Sequence, residues 1–440
     1  MAIVNSTSLE SNKKFKVDFS GGNLSSDAGL LLINEFTEKF GFRKLIKDEF
    51  KTTDTASRQH KDYENLLQMV YQITAAYFTD DCADELRNDP VMTAVLDKES
   101  LASQPTLSRF HNRLDENTLA QLEKIQRILR KRIYDVNHPE NVLLDIDSTL
   151  LNTYGDQEGH AFNYHYQANG YHPLVCFDGL TGDLQRVQLR NGSDYCCNGA
   201  VDFLKPLLDE YAESYPFVNL FLRADSGFAT EEIYSLCETN GVSYVVRLKE
   251  NSVLRSLASD IESDLDELTK DNIVDYAVVY GEFMYKAKKW EYPRRVVCKI
   301  EKPQGQMLYM YTFVVTNMDS SPENLIKFYA KRGTMENFIK ECKNGFDLSY
   351  VSSSSKIVNA NRVQIHAIAY NIFNWFRRLV LPENMKKDRI DTFRLKLLKV
   401  AVKVVKTARY IVFKLCSSCP YKEAFYKILE NISAMKPLTT

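Results

Sequence analysis

Residues 329–343 read YAKRGTMENFIKECK, and this spacing predicts a helix that carries a polar stripe. At about 100° per residue, four reactive side chains fall within roughly 60° of one another around such a helix. They are Tyr329, Arg332, Glu336 and Lys343. Apolar residues lie beside the stripe, so we expect the charges to border the buried face and to line a cleft. An ordinary surface pair of Arg332 and Glu336, worth ~0.5 kcal/mol, explains the same spacing.

The composition is that of an ordinary soluble protein. The chain has 440 residues, enough for two or three domains, and its formal net charge is −2. That charge does not itself indicate a nucleic-acid partner, but residues 386–414 hold ten Lys or Arg residues against two Asp residues. We predict a basic helix in this segment.

The spacing of the cysteines and the length of the apolar runs indicate in which cellular compartment the protein is found. Nine cysteines show no repeated paired spacing, which favours reduced thiols over a zinc site. The first residues lack the apolar core of a signal peptide, and no run of about 18 apolar residues occurs. We therefore expect a soluble, cytoplasmic protein without a membrane partner.

Residues 1–138 are predicted to be mostly helical, because apolar residues recur at helical spacing in 27–46 and in 63–78. A further helix is predicted in 103–114, with Pro105 in its first turn and three basic residues on its exposed side. These are Arg109, His111 and Arg113. Such a helix is typical of a DNA-reading element or, more commonly, of a solvated surface.

From residue 141 the pattern changes to strand-forming stretches that alternate with helical ones. This alternation indicates a mixed α/β core. Between about 252 and 320 the core is interrupted by short stretches rich in Val and Tyr, which predict an inserted β-rich subdomain. An apolar helix is predicted around 360–381.

Three carboxylates form the candidate catalytic constellation. Asp147 and Asp225 stand at the polar ends of hydrophobic strands, where an α/β sheet opens onto a functional crevice. With Glu336 they supply the oxygen ligands that hard cations such as Mg²⁺ prefer. Two such ions activate an attacking oxygen and stabilise a leaving oxygen in phosphodiester chemistry. Taken singly, an aspartate at a strand end is more commonly a cap or turn residue.

The spacing of the polar stripe resembles the YREK signature of bacterial insertion-sequence transposases of the DDE class. Further windows look like the insertion-sequence group numbered 1380, and the resemblance covers nearly the whole chain. These windows are 143–159, 171–182, 221–230, 243–251 and 397–415. By this resemblance Asp147, Asp225 and Glu336 take the catalytic and metal-binding positions. Asp145 shares the strand face of Asp147, and we prefer Asp147 because Ser148 follows it, as a small hydroxyl residue follows the family's first aspartate.

The resemblance implies an RNase H-like catalytic core at 139–350, with the β insertion at about 252–320. It also implies a helical N-terminal region for DNA binding and assembly at 1–138, and a helical, basic C-terminal region at 351–440. The implied activity is metal-dependent cleavage at transposon ends followed by strand transfer into target DNA, with two Mg²⁺ ions for which Mn²⁺ can substitute. The implied partner is double-stranded DNA, namely terminal inverted repeats and target, bound by a homodimer in the bacterial nucleoid.

Nine side chains are candidate DNA contacts. Tyr329, Arg332 and Lys343 resemble the family's contacts to transposon-end phosphates, and the cationic members suit phosphate chemically. Three more stand on core strands close in sequence to the aspartates: Arg223, Arg247 and Lys249. In the β insertion, Trp290 is followed by Arg294 and Arg295, an arrangement that suits base stacking, although a Trp in a short hairpin commonly packs on its neighbours.

Other interpretations remain open. The histidines in 160–172 have a spacing that invites a metal site, but a zinc site needs a closed ligand set that the sequence does not supply. A stand-alone RNase H-like nuclease would cut DNA without joining it, and a catalytically retired relative would only bind DNA. The three carboxylates argue against retirement, and the β insertion and the YREK stripe argue against a minimal nuclease.

Overall fold

The computed structural model describes residues 6–270, 276–306 and 308–437, and the chain divides into two compact units. The first unit consists of Met1–Val136, Asn344–Tyr350 and Gln364–Thr440. The second consists of Asn137–Lys343 and Val351–Val363. C-terminal residues thus share a unit with N-terminal ones. None of the described helices combines the length and the apolar character needed to cross a bilayer.

The N-terminal part of the first unit is mostly helical, as predicted. Its strands are β1 Thr7–Ser8, β2 Lys16–Val17 and β3 Leu24–Ser25. Its helices are α1 Leu30–Lys39, α2 Phe42–Glu49, α3 Asp62–Thr74, α4 Cys82–Leu86, α5 Pro90–Val95, α6 Gln104–His111 and α7 Glu116–Val136. The prediction that His111 is exposed on α6 is wrong: it is buried, with Nε2 3.2 Å from the Met69 sulfur. His111 lies one turn after Leu107 and beside Phe110, both buried, so it falls within the apolar arc of the helix.

The second unit contains the strands and helices that carry the predicted site. Its strands are β4 Asn141–Ser148, β5 Leu151–Asn152, β6 Ala161–Asn163, β7 Ala168–Tyr171, β8 Leu174–Asp178, β9 Leu184–Gln188, β10 Asn219–Ala224, β11 Ser243–Leu248, β12 Ala277–Tyr285, β13 Arg294–Lys302 and β14 Met310–Thr316. Its helices are α8 Ala200–Ser214, α9 Glu231–Thr239, α10 Ser252–Leu257, α11 Ser259–Thr269, α12 Pro322–Ala330 and α13 Gly333–Lys340, with a 3₁₀ turn at Ser226–Phe228.

An eight-stranded mixed sheet organises this unit, in the order β12-β13-β14-β11-β10-β4-β8-β9. Strands β4, β10 and β11 run parallel, and β8 and β9 continue the sheet in antiparallel fashion. Residues 142–146 of β4 are all buried, as expected for a central strand that is covered on both faces. The predicted α/β alternation therefore corresponds to one sheet with helices in its crossovers.

The three strands predicted between about 252 and 320 join the edge of the same sheet, because β14 pairs antiparallel with β11. Helices α10 and α11 precede them and were not predicted. The predicted stretches 273–283 and 307–317 begin at residues that lie outside the described part of the chain. From Cys298 to Lys302, strand β13 alternates buried and partly exposed residues, a period of two that is typical of a strand buried on one face.

The prediction of one continuous helix over 329–343 is wrong. Helix α12 ends at Ala330, α13 begins at Gly333, and a π-helical turn occupies Glu341–Gly345. Glycine is a poor helix former, so a break beside Gly333 has a local cause. Arg332 is the residue immediately before α13 and stands at this break.

The predicted basic helix over 386–414 is also wrong. After helix α14 Lys356–Val380, the chain forms a 3₁₀ turn at Glu383–Met385, helix α15 Ile390–Phe393, a π-helical turn at Arg394–Leu398, strands β15 Val402–Lys406 and β16 Ile411–Leu415, and helix α16 Lys422–Ala434. Strand β15 pairs with β16 and with β3. Val402 and Val404 are buried while Lys403 between them is exposed, and this period of two belongs to a strand.

Candidate active site

Asp147 and Asp225 lie side by side at the carboxyl edge of the sheet. Strands β4 and β10 are parallel neighbours, and their register pairs Asp145 with Arg223, so Asp147 and Asp225 each follow two residues later. Asp147 Oδ1 accepts a hydrogen bond of 2.8 Å from the Ser148 backbone N–H. Asp225 Oδ1 accepts one of 2.8 Å from the Gly227 backbone N–H, which caps the 3₁₀ turn. One oxygen of each carboxylate is thereby fixed by the backbone.

The other oxygens of both aspartates face a single guanidinium. Arg332 Nη2 is 2.8 Å from Asp147 Oδ2 and 4.0 Å from Asp225 Oδ2. The same nitrogen donates to the Ile146 carbonyl at 3.3 Å. Arg332, which we predicted to contact phosphate, therefore forms an ion pair with Asp147 and lies near Asp225.

Burial and charge act in opposite directions on this cluster. Burial raises the pKa of Asp147 above its ordinary value, Arg332 opposes that shift, and the charge of Asp225 adds to it. Burial alone lowers the pKa of Arg332, but Asp147 and Asp225 outweigh this effect and raise it. Arg332 is consequently a permanent positive charge between two carboxylates.

Glu336 is not in contact with the two aspartates. It lies one turn after Arg332 on α13, its side chain is 65% exposed, and its carboxylate is 3.6 Å from Lys340 Nζ. Within the described residues no group of three His, Cys, Asp or Glu side chains is placed to hold a metal ion. Two of the three predicted ligands converge, and their outward Oδ2 atoms are the hard donors that Mg²⁺ prefers.

Asp145, the alternative to Asp147, is occupied by another partner. Its two carboxylate oxygens each accept a 2.7 Å hydrogen bond from Arg223, through Nε and Nη2. Arg223 also donates from Nη1 to the Phe328 carbonyl at 2.5 Å. Both side chains are buried, with exposures of 0% and 1%. Arg223, predicted as a phosphate contact, is thus enclosed in the unit.

The other predicted contacts around the aspartates differ in accessibility. Tyr329 lies on α12 and is partly buried against the core that includes Val245 and Leu325, whereas Arg247 is exposed on β11. Lys343 Nζ donates to the Leu150 carbonyl at 2.7 Å, and burial lowers the pKa of Lys343. Lys249 is exposed next to the aspartates.

The predicted base-stacking group of the β insertion is committed to packing. Trp290 is only 6% exposed and makes edge contacts with Tyr234 and Tyr285, at centroid distances of 5.2 and 5.3 Å. Arg294 is buried and forms paired hydrogen bonds with Glu231 and Glu238 on α9. The spacing of these two glutamates, seven residues, places them on one helix face and was the signal available in the sequence. Arg295, which follows Arg294 in the chain, binds the Glu282 carboxylate and donates to the Ser320 carbonyl at 3.0 Å.

A cavity of about 680 Å³ opens beside Asp147 and Asp225. Its walls include four aromatic side chains and one cation that stand around the carboxylates: Phe162, Tyr164, Tyr166, Tyr195 and Lys249. The volume lies in the range of small-molecule sites and exceeds that of a nucleobase. The aromatic residues in 162–166 are the sequence signal for this wall.

Tyr166 links the aromatic wall to the catalytic strand. Its hydroxyl donates to the Ser148 carbonyl at 3.2 Å. Burial, followed by the charges of Asp147 and Asp225, raises the pKa of Tyr166 to about 12. The tyrosine is therefore neutral and can act only as a hydrogen-bonding or stacking group at this position.

The neighbouring histidines make separate contacts. His172 Nδ1 lies 2.7 Å from the Asp194 carbonyl, which requires a proton on that nitrogen, and His160 Nδ1 lies 3.3 Å from Thr153 Oγ1. His165 forms an edge contact with the Tyr166 ring. These contacts are those of loop and wall residues.

The chain is similar to known DNA-processing proteins. The family model described as transposase DDE domain group 1 matches residues 7–437. Among solved structures, the cryo-EM structure of a piggyBac transposase synaptic complex with hairpin DNA is similar with a TM-score of 0.41 and 13% sequence identity. That likeness covers 85% of this chain and 80% of the other. No curated protein sequence matches this chain.

Proposed function

Since the chain belongs to the family of transposase DDE domain group 1, we propose that it is a cut-and-paste DNA transposase. It would cleave DNA at the ends of a mobile element and transfer the freed 3′-hydroxyl into target DNA. The observation that carries this proposal is the convergence of Asp147 and Asp225 on one positive charge at the carboxyl edge of the sheet. Two acidic side chains held there are suited to bind a divalent cation next to a phosphodiester.

The proposed metal ligands are Asp147, Asp225 and Glu336. When bound, two Mg²⁺ or Mn²⁺ ions supply Lewis-acid stabilisation of the attacking and leaving oxygens. The backbone N–H groups of Ser148 and Gly227 hold one oxygen of each aspartate, which leaves Oδ2 for coordination. The exposed ion pair between Glu336 and Lys340 is weak, so breaking it to reorient Glu336 costs little.

We further propose that the cavity beside the aspartates receives the nucleotide at the cleaved phosphate. Lys249 supplies a point charge for that phosphate, and the rings of Tyr164 and Tyr166 supply stacking surface. Arg247, Arg332 and Lys343 are the other proposed phosphate contacts. Arg223, Arg294 and Trp290 serve folding in this proposal, because each is enclosed by protein partners.

The remaining parts of the proposal concern architecture and assembly. We infer that strands β9, β8, β4, β10 and β11 form an RNase H-like core. The inference is supported by their order, with three antiparallel strands followed by two parallel additions. We place the chain with the insertion-sequence group numbered 1380, on its YREK spacing, and expect a homodimer on double-stranded DNA.

The test is a cleavage and joining assay with the terminal inverted repeats that flank the coding sequence. Asp147→Asn and Asp225→Asn should each reduce Mg²⁺-dependent cleavage by about a thousandfold or more, because several kcal/mol of charge stabilisation are lost. Asp209→Asn, which changes an exposed carboxylate paired with Lys205 on α8, is the matched control and should cleave normally.

Three results would decide against this assignment. Full cleavage by either site variant would remove that aspartate from the site. Cleavage by the unmodified protein without transfer of the 3′-hydroxyl would identify a nuclease instead of a transposase. Sequence-specific end binding without cleavage in Mg²⁺ or Mn²⁺ would identify a protein that only binds DNA.

A further inference from the structure

We propose that Arg332 is an internal counter-ion that competes with divalent cations for Asp147 and Asp225, and that a DNA phosphate ends this competition by taking over the guanidinium. The inference rests on the proposed function, because it assigns the two aspartates to metal binding. In this proposal Arg332 controls when the two aspartates can bind metal, in addition to contacting DNA. Arg332 is in this view a positioning residue that controls when the carboxylates become available.

Arg332 lies close to the outward oxygens of both aspartates. Nη2 of Arg332 lies 2.8 Å from Asp147 Oδ2 and 4.0 Å from Asp225 Oδ2, so it stands between the two outward oxygens. A magnesium ion that binds carboxylate oxygens does so at about 2.0–2.1 Å. Such an ion would have to occupy space next to or at this nitrogen, and it would meet an unscreened like charge. Arg332 and the ion therefore compete for these oxygens, because each weakens the electrostatic attraction of the carboxylates for the other.

The hydrogen bonding of Arg332 is incomplete. Its Nε is buried and has no hydrogen-bond partner among the described residues. Arg223, by contrast, uses Nε, Nη1 and Nη2 on the Asp145 carboxylate and the Phe328 carbonyl. A guanidinium has five N–H donors arranged as a fork that matches phosphate oxygens. Arg332 therefore keeps unused capacity for a second anionic partner.

The position of Arg332 in the chain links it to Glu336. It precedes α13 at the break between α12 and α13, and Gly333 follows it. Glu336, the proposed third ligand, lies one turn further along the same helix. Movement of Arg332 away from the aspartates and approach of Glu336 would therefore involve one short helical segment.

A linkage between cation and DNA follows. If a phosphate binds Arg332 more tightly when a cation holds the aspartates, then the cation must also bind more tightly when DNA is present. Without DNA the carboxylates are neutralised by Arg332 and attract metal weakly. The chain would thus assemble its metal site chiefly on DNA.

The test measures Ca²⁺ binding to the full-length chain without DNA by isothermal titration calorimetry. Ca²⁺ has the required oxygen preference. Arg332→Gln should bind Ca²⁺ at least about tenfold more tightly than the unmodified protein, a difference of about 1.4 kcal/mol. Lys327→Gln is the charge-matched control, because Lys327 is exposed on α12 and pairs with Glu323, and its Ca²⁺ affinity should equal that of the unmodified protein.

Equal or weaker Ca²⁺ binding by Arg332→Gln would overturn the proposal and leave the transposase assignment intact. Unchanged Ca²⁺ binding by Asp225→Asn would instead remove the metal site itself, which is a failure of the proposed function. If Arg332→Gln cannot be purified in folded form, Arg332→Lys supplies the same comparison. It keeps one charge but loses the fork, so a gain in Ca²⁺ affinity of a few-fold is expected, and no gain would overturn the proposal.

Discussion

Two aspartates on strand β4, two residues apart, each meet an arginine, and the two pairs differ in kind. Asp145 and Arg223 are 0% and 1% exposed and share two hydrogen bonds of 2.7 Å. Asp147 and Arg332 are 18% and 14% exposed, and one guanidinium nitrogen serves Asp147 at 2.8 Å while facing Asp225 at 4.0 Å. The first pair is closed on itself, and the second is open to a cavity and to another carboxylate.

The difference shows how one residue type serves folding or function according to its surroundings. A buried ion pair is tolerated when each partner has its hydrogen bonds satisfied, and removal of one partner leaves a charge without compensation. The pair of Asp145 and Arg223 meets that condition, so separating its two charges would cost a large free energy. The Asp147 pair leaves Arg332 Nε without a partner in the described structure, so exchanging its partner carries a smaller penalty.

The largest expected effect is a difference in the free energy of unfolding between variants of the two ion pairs. Asp145→Asn should lower the free energy of unfolding by about 3–5 kcal/mol, because Arg223 would be left as a buried charge. Asp147→Asn should lower it by about 1 kcal/mol, because its partner reaches solvent and a second carboxylate. Urea denaturation at neutral pH, followed by circular dichroism, measures both.

The double variant Asp145→Leu with Arg223→Met is the control for that comparison. Removing both charges should recover part of the stability lost in Asp145→Asn. Equal losses for Asp145→Asn and Asp147→Asn would mean that the closed and open pairs do not differ energetically.

A smaller change in the free energy of unfolding is expected at Trp290, which packs near Arg294. Trp290→Ala should cost about 3 kcal/mol of unfolding free energy, because the ring packs between Tyr234 and Tyr285. Trp290→Phe should cost about 1 kcal/mol, since it keeps most of the apolar volume. Thermal unfolding measures the losses, and a nicking assay on transposon ends provides the functional comparison. A Trp290→Ala protein of normal stability that fails only after first-strand nicking would return this residue to DNA binding.

An effect similar in size to that of Trp290→Ala but opposite in sign is expected at Asp178, a buried aspartate of the same sheet for which the described residues supply no guanidinium partner. It accepts hydrogen bonds from the Thr181 hydroxyl at 2.6 Å and from the Leu180 backbone N–H at 3.1 Å. Burial, with a contribution from Asp183, raises the pKa of Asp178 to about 6. The folded state therefore holds this proton more tightly than the unfolded state, and stability falls as pH rises from about 4 to about 6.

Asp178→Asn should remove that fall and raise the free energy of unfolding at pH 7 by up to about 3 kcal/mol, since each pKa unit corresponds to about 1.4 kcal/mol. At pH 4 the variant and the unmodified protein should be equally stable. Urea titrations at the two pH values make the comparison. A variant that is destabilised equally at both pH values would show that the hydrogen bonds of Asp178 outweigh its charge.

Elements with a local sequence signal could be predicted before the structure was known. Apolar spacing predicted helices α1, α2 and α3, and the alternation of strand and helix predicted the α/β sheet of the second unit. It also placed Asp147 and Asp225 at strand ends, and parallel neighbouring strands then bring such ends together. The family was recognisable because the aspartate windows and the segment 329–343 are short, contiguous patterns.

The hydrogen-bond and ion-pair partners of the charged side chains depend on the tertiary structure. Arg223 and Asp145 are 78 residues apart, and Lys343 and Leu150 are 193 apart, so no local pattern reports these contacts. The C-terminal strand β15 forms a hairpin with β16, and it also pairs with β3 from the other end of the chain, a contact that no local pattern reports. Trp290 is in the core because α9 supplies Tyr234 and the glutamates that hold Arg294. Periodicity reflects the geometry of neighbouring residues, whereas desolvation and ion pairing depend on groups that folding brings together from distant parts of the sequence.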